Sequence, residues 1–224
     1  MTDTTRNDGS ASTGGSTTTR FYLSTDQVRN SGDLSMSGVR TVTTLAVGTQ
    51  SAGSVTVTVP TGAAFGTSYF VLACADDNDT VDEINEGNNC LASAGSVQIL
   101  GPDLQVTAVS NPPATAARGS TFTVTDTTRN NGAATTGNSS STRYYFSTDT
   151  SLSSGDRRLT GTRSVATLSA GTQSSGSVSV QVPTTTTSGQ YWLLACADDQ
   201  TDVDEVNESN NCLASTTRVT VPGS

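Results

Sequence analysis

Residues 178–182 read Val-Ser-Val-Gln-Val, and Pro183 follows them directly. A period of two places the three valines on one side of an extended strand and the polar residues on the other. Proline has no N–H to donate to a strand ladder, so it marks the end of such a strand. Residues 55–59 read Val-Thr-Val-Thr-Val before Pro60 and repeat the pattern. The two stretches predict the same half-buried β-strand in two copies of one module.

The repeat extends far beyond this strand. Residues 2–7, Thr-Asp-Thr-Thr-Arg-Asn, are identical to residues 125–130, and the correspondence continues to the end of the chain. Two modules of ordinary domain size therefore account for the 224 residues. We predict domains at residues 1–100 and 101–224, joined stiffly by Gly-Pro-Asp at 101–103.

Short alternating runs, separated by turn-rich stretches, fill the complete second copy. Seven such runs predict an all-β fold in which each copy is an immunoglobulin-like seven-stranded β-sandwich. Trp192 or Phe70 is expected as the core aromatic, and a jelly roll or barrel is the alternative fold. The predicted strands are residues 103–109, 121–129, 142–148, 159–168, 176–183, 189–197 and 212–221.

The first copy is incomplete, because Met1 aligns with Val124 in the middle of the second strand. We therefore expect a sandwich that lacks its N-terminal strand and exposes a sheet edge. Two explanations stay open at this point. Either the sequence is an excerpt or a misassigned start of a longer array, or a neighbouring molecule supplies the missing strand by β-augmentation.

Composition excludes several classes of function. The formal net charge is -9, which disfavours nucleic acid and anionic lipid as partners. No apolar stretch is long enough to predict insertion into a membrane. The chain contains no His and no Lys, so the usual base of Ser or Cys catalysis, imidazole metal ligands and Schiff-base chemistry are missing. We expect no enzymatic activity.

Each copy holds one pair of cysteines, Cys74 with Cys90 and Cys196 with Cys212. Each pair brackets the loop between the last two strands, and we predict one disulfide within each module. Free thiols or a metal site are the alternatives, but two cysteines without His or further Cys make a poor zinc site. Disulfides imply an oxidising compartment, so we predict a secreted protein at the cell surface or in the extracellular space.

The loops between the cysteines, residues 75–89 and 197–211, hold more than half of the protein's 20 acidic residues and no Arg. Calcium suits such oxygen-only ligands, although the loops lack the glycine that an EF-hand has at its sixth position. A solvated acidic hairpin is the alternative. The candidate calcium ligands are Asp76, Asp77, Asp82, Glu83, Glu86, Asp198, Asp199, Asp204, Glu205 and Glu208.

Asp103 is a further candidate ligand. In a sandwich of this kind the loop between the last two strands lies at the end where the chain enters the domain. Loop 197–211 should therefore face residues 101–103, and Asp103 is expected to join Asp199, Glu205 and Glu208 around a calcium ion.

A series of motifs runs through the second copy in a fixed order. They are Pro102-Asp103-Leu104, Asn130-Asn131-Gly132, Tyr145-Phe146-Ser147-Thr148-Asp149, Leu168 with Gly171, Tyr191 before Ala197-Asp198, and Glu205-Val206-Asn207-Glu208-Ser209-Asn210-Asn211. As a set they resemble the bacterial cell-adhesion-related domain family, CARDB. The resemblance implies an extracellular immunoglobulin-like fold, often repeated within large surface proteins, and no catalytic activity.

Repetition, the absence of catalytic residues, the high Thr and Ser content and this resemblance predict a structural or adhesive module of a surface array or an extracellular filament. Its expected partners are further copies of itself or ligands on a cell surface. The alternative is a spacer or a module that binds carbohydrate or protein within a larger secreted protein. Only 5% of the residues are aromatic, which argues against a dedicated carbohydrate site.

Overall fold

The computed structural model describes residues 1–223, and the chain divides into two compact units, Met1–Ile99 and Leu100–Ser224. The predicted boundary between the two domains, immediately after Leu100, lies one residue beyond the boundary between these units. Among the described residues the one helical segment is a 3₁₀ turn at Glu86–Asn88, and no helix there is long and apolar enough to cross a membrane. The chain is therefore built from strands, as the alternating runs predict.

The first unit consists of short strands in two sheets. A larger sheet has the order β3-β2-β5-β6 with β7 also on β5, and a separate ladder joins β1 to β4. The strands are β1 (Thr2–Arg6), β2 (Thr17–Ser24), β3 (Leu34–Val42), β4 (Gln50–Ser54), β5 (Ser68–Cys74), β6 (Cys90–Ala92) and β7 (Val97–Gln98).

The second unit contains all seven of the predicted strands. They are β8 (Leu104–Val109), β9 (Thr121–Asn130), β10 (Ser140–Ser147), β11 (Arg157–Val165), β12 (Gln173–Gln181), β13 (Gly189–Cys196) and β14 (Cys212–Val221). Hydrogen bonding follows the order β14-β13-β10-β11-β12-β9-β8. β11 pairs with β10 along much of its length but with β12 only at Thr160 and Gln181, so it passes from one layer of the sandwich to the other. The fold is an immunoglobulin-like β-sandwich.

The aromatic core of the second unit differs from the prediction. Tyr144, Phe146 and Tyr191 are buried, and the Phe146 ring stacks on Tyr191 with the centroids 5.7 Å apart. Trp192 is only half-buried, with the Arg218 guanidinium 4.9 Å from its ring centroid. Trp192 lies between two inward-facing residues of β13, so the period of two turns it to the outer face. Phe70 is half-buried for the same reason, and the choice of these two as core aromatics was wrong.

β4 of the first unit is shorter than its counterpart β12 in the second unit. In the second unit β12 reaches Gln181 because its last residues pair with the first residues of β9, as Gln181 does with Thr121. In the first unit β4 already ends at Ser54, which pairs with Thr2. Residues 55–59, predicted as a strand, therefore form no continuous strand. Val55 and Val57 still pack against the core, and Thr58 makes an isolated bridge with Ser37.

The last strand of the first unit is short and comprises only Val97–Gln98. In the second unit β14 is continuous and receives support from residues 111–116. Asn111 Oδ1 accepts from the Thr216 N–H at 2.8 Å, and the Ala116 N–H donates to Thr220 O at 3.1 Å. In the first unit the corresponding strand is divided into β6 and β7.

A buried ion pair joins the two layers of the second unit. Arg163 donates through Nε to Asp126 Oδ1 at 2.8 Å, and the Tyr144 hydroxyl donates to the same oxygen at 2.5 Å. Asp126 is 1% exposed and Arg163 is 8% exposed. Burial raises the pKa of Tyr144 well above its usual value, so its hydroxyl remains a donor. The first unit repeats the pair with Arg40 and Asp3.

Replacing Arg163 with Met should destabilise the second unit by about 3–5 kcal/mol, because the Asp126 carboxylate stays buried without its cation. Chemical denaturation followed by circular dichroism measures the loss. Arg158→Met is the matched control, since Arg158 is an exposed residue of the same strand and its loss should stay within about 0.5 kcal/mol. Equal losses in the two variants would contradict a role for the buried pair.

Candidate functional site: the acidic loops and the strand that they hold

Both predicted disulfides are present, Cys74–Cys90 and Cys196–Cys212, and none of the cysteines is free. Cys196 and Cys212 are also direct partners in the ladder between β13 and β14, and Cys74 and Cys90 are partners in the first unit. The bonds therefore close the acidic loops, residues 75–89 and 197–211, at the last ladder pair of the two strands. Closing a loop of this size stabilises the fold by about 3 kcal/mol in the chain-entropy description.

The first aspartate of each loop stabilises the conformation of that loop by accepting hydrogen bonds from its backbone. Asp198 is 2% exposed, and its two oxygens accept from the Asp202 N–H at 3.1 Å and the Val203 N–H at 2.9 Å. Burial raises its pKa above the usual value. Asp76 makes the matching bond to the Val81 N–H at 2.8 Å. Both aspartates adopt a positive φ, near 45°, which starts the turn.

The second carboxylate of each loop fixes the loop to a neighbouring strand. Asp199 Oδ2 accepts from the Tyr145 hydroxyl at 2.6 Å and from Arg143 at 3.2 Å, and both donors lie on β10. Burial and the hydrogen bond to Asp199 raise the pKa of Tyr145 to about 12. Asp77 makes the equivalent contacts with Tyr22 and Arg20. These two aspartates are therefore engaged by side chains of the protein.

Glu205 has a different role, because it holds the first strand of the second unit. One carboxylate oxygen accepts from the Leu104 backbone N–H, and the other accepts from the Asn211 side chain at 3.0 Å. The neighbouring Val206 N–H donates to Pro102 O at 2.9 Å. The loop thus lies against residues 102–104, as the topology predicted. Burial raises the pKa of Glu205 to about 7, and nearby Glu208 adds to the effect.

The remaining candidate ligands are scattered. Glu208 Oε1 accepts from the Glu205 N–H at 2.9 Å, and Glu86 makes the same bond with Glu83 at 2.6 Å. Asp103 accepts from the side chains of Asn210 and Gln105, both at 2.9 Å. Asp82 and Asp204 are exposed.

Across residues 1–223 the acidic side chains form no group of three or more arranged to hold a metal ion. The buried carboxylates of the loops are instead occupied by hydrogen-bond donors of the chain. Calcium binding by these loops stays a prediction.

Sequence reasoning missed one residue that organises this end of the fold. The buried Asn130 side chain accepts from the Asp103 N–H at 3.1 Å and from the Gly132 N–H at 3.0 Å, and it donates to Ala134 O and Leu168 O. Asn7 makes the corresponding bonds to Gly9, Ala11 and Leu45 in the first unit. The recurrence of Asn at residues 7 and 130, each followed two residues later by Gly, was the available signal.

Reduction of both disulfides should lower stability by about 3 kcal/mol for each closed loop. Denaturant unfolding with and without dithiothreitol measures this change. A paired variant, Cys74→Ser with Cys90→Ser, should show a smaller response to the reductant because only the second loop is still closed by sulfur. Identical unfolding curves in oxidised and reduced protein would contradict the stabilising role of the bonds.

Glu205 should make the stability of the second unit depend on pH. Its pKa in the folded state is about 7, above the ordinary value of 4.5, so the folded protein holds the proton more tightly than the unfolded chain does. The resulting stabilisation is complete below about pH 4.5 and is lost as the pH rises through 7, by about 3 kcal/mol at most. Glu205→Gln should flatten this part of the curve of unfolding free energy against pH.

Asp204→Asn is the matched control for Glu205→Gln, because Asp204 is the exposed neighbour in the same loop. Its curve should run parallel to that of the unmodified protein between pH 4.5 and 7. If both variants kept the same slope, the titration of Glu205 would not be coupled to folding.

The CARDB family profile matches residues 1–93 and 101–215. Comparison with curated proteins gave no match. Among solved structures, the chain is similar to the crystal structure of a CARDB domain from Pyrococcus furiosus in complex with di-metal ions. The identity is 21%, the match covers 55% of this chain and 90% of that chain, and the TM-score is 0.38. A second similar structure is an NMR structure of a domain from Methanosarcina acetivorans, described as part of a cell surface protein. There the identity is 24%, the coverage is 55% and 94%, and the TM-score is 0.35.

The two matched regions together extend through most of both units. They include the motif order of the second copy and its incomplete repeat in the first. The chain therefore belongs to the CARDB family.

Proposed function

We propose that this chain is a non-enzymatic, extracellular structural or adhesive module, working as part of a surface array or an extracellular filament. The observation that carries the proposal is the tandem arrangement of two CARDB units, each closed by its own disulfide. Disulfides persist in oxidising compartments outside the cytoplasm, which supports a location on or outside the cell. Repetition of one folded unit is how arrays and stalks gain length.

The hydrogen bonds that the acidic side chains accept support a non-enzymatic role. Catalytic carboxylates need a cleft and partners that separate their pKa values. Asp198, Asp199 and Glu205 instead accept hydrogen bonds from the backbone and side chains of the same unit. In this proposal the acidic loops therefore stabilise the fold of each unit. Calcium binding is proposed only for their exposed carboxylates.

The proposed partners are further copies of the chain or ligands on a cell surface. Within residues 1–223, single apolar side chains are exposed on both units, for example Val28 on the first and Leu152 on the second. The alternative is a spacer or a ligand-binding module within a larger secreted protein. An array predicts regular assemblies on the surface, whereas a spacer predicts isolated molecules.

Surface proteolysis of intact cells that produce the protein is the test of location. We expect protease added outside to remove the chain while a cytoplasmic marker stays intact, and rapid thiol alkylation at lysis to leave all four cysteines unlabelled. Electron microscopy of the released material then separates filaments from single particles. Protection of the chain until lysis, together with alkylated cysteines, would overturn the proposal.

A further inference from the structure

The outer face of one sheet of the second unit carries arginine beside an aromatic ring. On β13 the core residues Tyr191 and Leu193 alternate with Trp192, which therefore projects from the face opposite the core. Trp192 lies opposite Arg218 in the ladder between β13 and β14. The two side chains share this face, with the guanidinium carbon 4.9 Å from the centroid of the indole ring.

A second arginine projects from the same face. Tyr145 on β10 lies opposite Leu194 on β13 and opposite Arg158 on β11. Leu194 is fully buried, Tyr145 is half-buried and Arg158 is exposed. We call this surface, formed by Tyr145, Arg158, Trp192 and Arg218, the arginine face. It consists of well-packed aromatic side chains with a cationic group at each side.

The two arginines of this face have no carboxylate partner in the part of the chain that the structure describes. The ion pairs found in the second unit involve other arginines. Asp199, which contacts the Tyr145 hydroxyl, is already paired with Arg143. Arg158 and Arg218 are both exposed, on a chain whose formal net charge is -9. The arginine face therefore suits an anionic partner.

The first unit has the opposite character. Its arginines all form ion pairs with aspartates of the same unit, and they are Arg6, Arg20, Arg29 and Arg40. Ser35 and Ser96 stand at the positions that match Arg158 and Arg218. The first unit has ten acidic residues and four arginines, whereas the second has ten and seven, so their formal charges are -6 and -3. The first unit is therefore the more anionic of the two.

Loop 75–89 of the first unit presents carboxylates that have no cation beside them. Asp79 and Asp82 are exposed, and neither belongs to an ion pair within residues 1–223. The Asp79 N–H donates to Asp76 O at 2.8 Å, and the disulfide Cys74–Cys90 closes the loop. The loop therefore holds both carboxylates on an ordered backbone, which lowers the entropy cost of binding.

We propose that the arginine face binds loop 75–89 of a second copy of this chain. Asp79 and Asp82 pair there with Arg158 and Arg218. We commit to a second copy because the chain itself supplies both charges, unpaired acidic groups on one unit and unpaired arginines on the other. Contact between unlike units is head-to-tail, so each molecule keeps a free face and a free loop for the next. This inference deepens the proposed function and rests on it, since the contact joins molecules of an array.

Self-association of the full chain is the first test. Sedimentation velocity at rising protein concentration should show larger species. Trp192 is the single tryptophan of the chain and lies in the arginine face, so its fluorescence should change over the same concentrations. Raising NaCl from about 0.05 M to about 0.5 M should reverse both changes, because salt screens exposed ion pairs. A chain that stays monomeric at about 1 mM in low salt would overturn the inference.

Variants of the arginine face locate one side of the contact. Arg218→Glu should weaken association at least about tenfold, because a carboxylate there repels the acidic loop. Arg129→Glu is the matched control, since Arg129 is an exposed residue of β9 in the other layer and the change in charge is the same. It should leave the affinity within about twofold. Equal losses in the two variants would show that net charge alone governs association and would overturn the inference.

Variants of the loops locate the other side. Asp79→Asn with Asp82→Arg, the loop variant, should weaken association at least about tenfold. Asp202→Asn with Asp204→Arg makes the same change in loop 197–211, where both aspartates are exposed, and should not weaken it. Loss of association in the control pair rather than in the loop variant would overturn the choice of loop 75–89.

Mixing two variants distinguishes a head-to-tail contact from other modes of association. Arg158→Glu with Arg218→Glu, the face variant, keeps an intact loop, and the loop variant keeps an intact face. At a concentration where each variant alone is monomeric, the mixture should form one-to-one dimers that do not grow. A mixture that stays monomeric or that forms larger species would overturn the inference.

Failure of self-association would remove this contact while leaving surface exposure, and so the proposed function, standing. Protected, reduced cysteines in cells would remove the proposed function even if the purified chain associated.

Discussion

Two contacts of β8 stabilise one end of the second unit. One edge of β8 pairs with β9, and its other edge is hydrogen-bonded to loop 197–211. The strand brings Leu104 and Val106 into the core, and the Leu104 N–H donates to Glu205. Directly before the strand, the Asp103 N–H donates to Asn130. In the first unit β4 ends at Ser54, beside the start of β1, and the last strand is divided into β6 and β7. How far a strand extends therefore depends on the segment that lies beside it.

The acidic loops show how a cluster of carboxylates can serve the fold. Asp198 folds the loop, Asp199 fixes it to β10 and Glu205 fixes it to β8. In each role the oxygens of a carboxyl group accept hydrogen bonds from backbone or side-chain donors of the same unit. The disulfide holds the two ends of the loop at the last ladder pair, so the acceptors stay in place. The repulsion expected among so many charges is offset by these donors and by solvent.

The sequence by itself determined the all-β class, the seven strands of the second copy, the repeat and the cysteine pairs. These follow from local rules, since a period of two and a turn signal are properties of neighbouring residues. Tertiary structure decided the rest. It turned Trp192 outward, ended β4 before the valines of residues 55–59, and engaged the buried carboxylates with donors distant in sequence. Such outcomes depend on which strand lies alongside, and a strand without its partner cannot satisfy its backbone however well its side chains alternate.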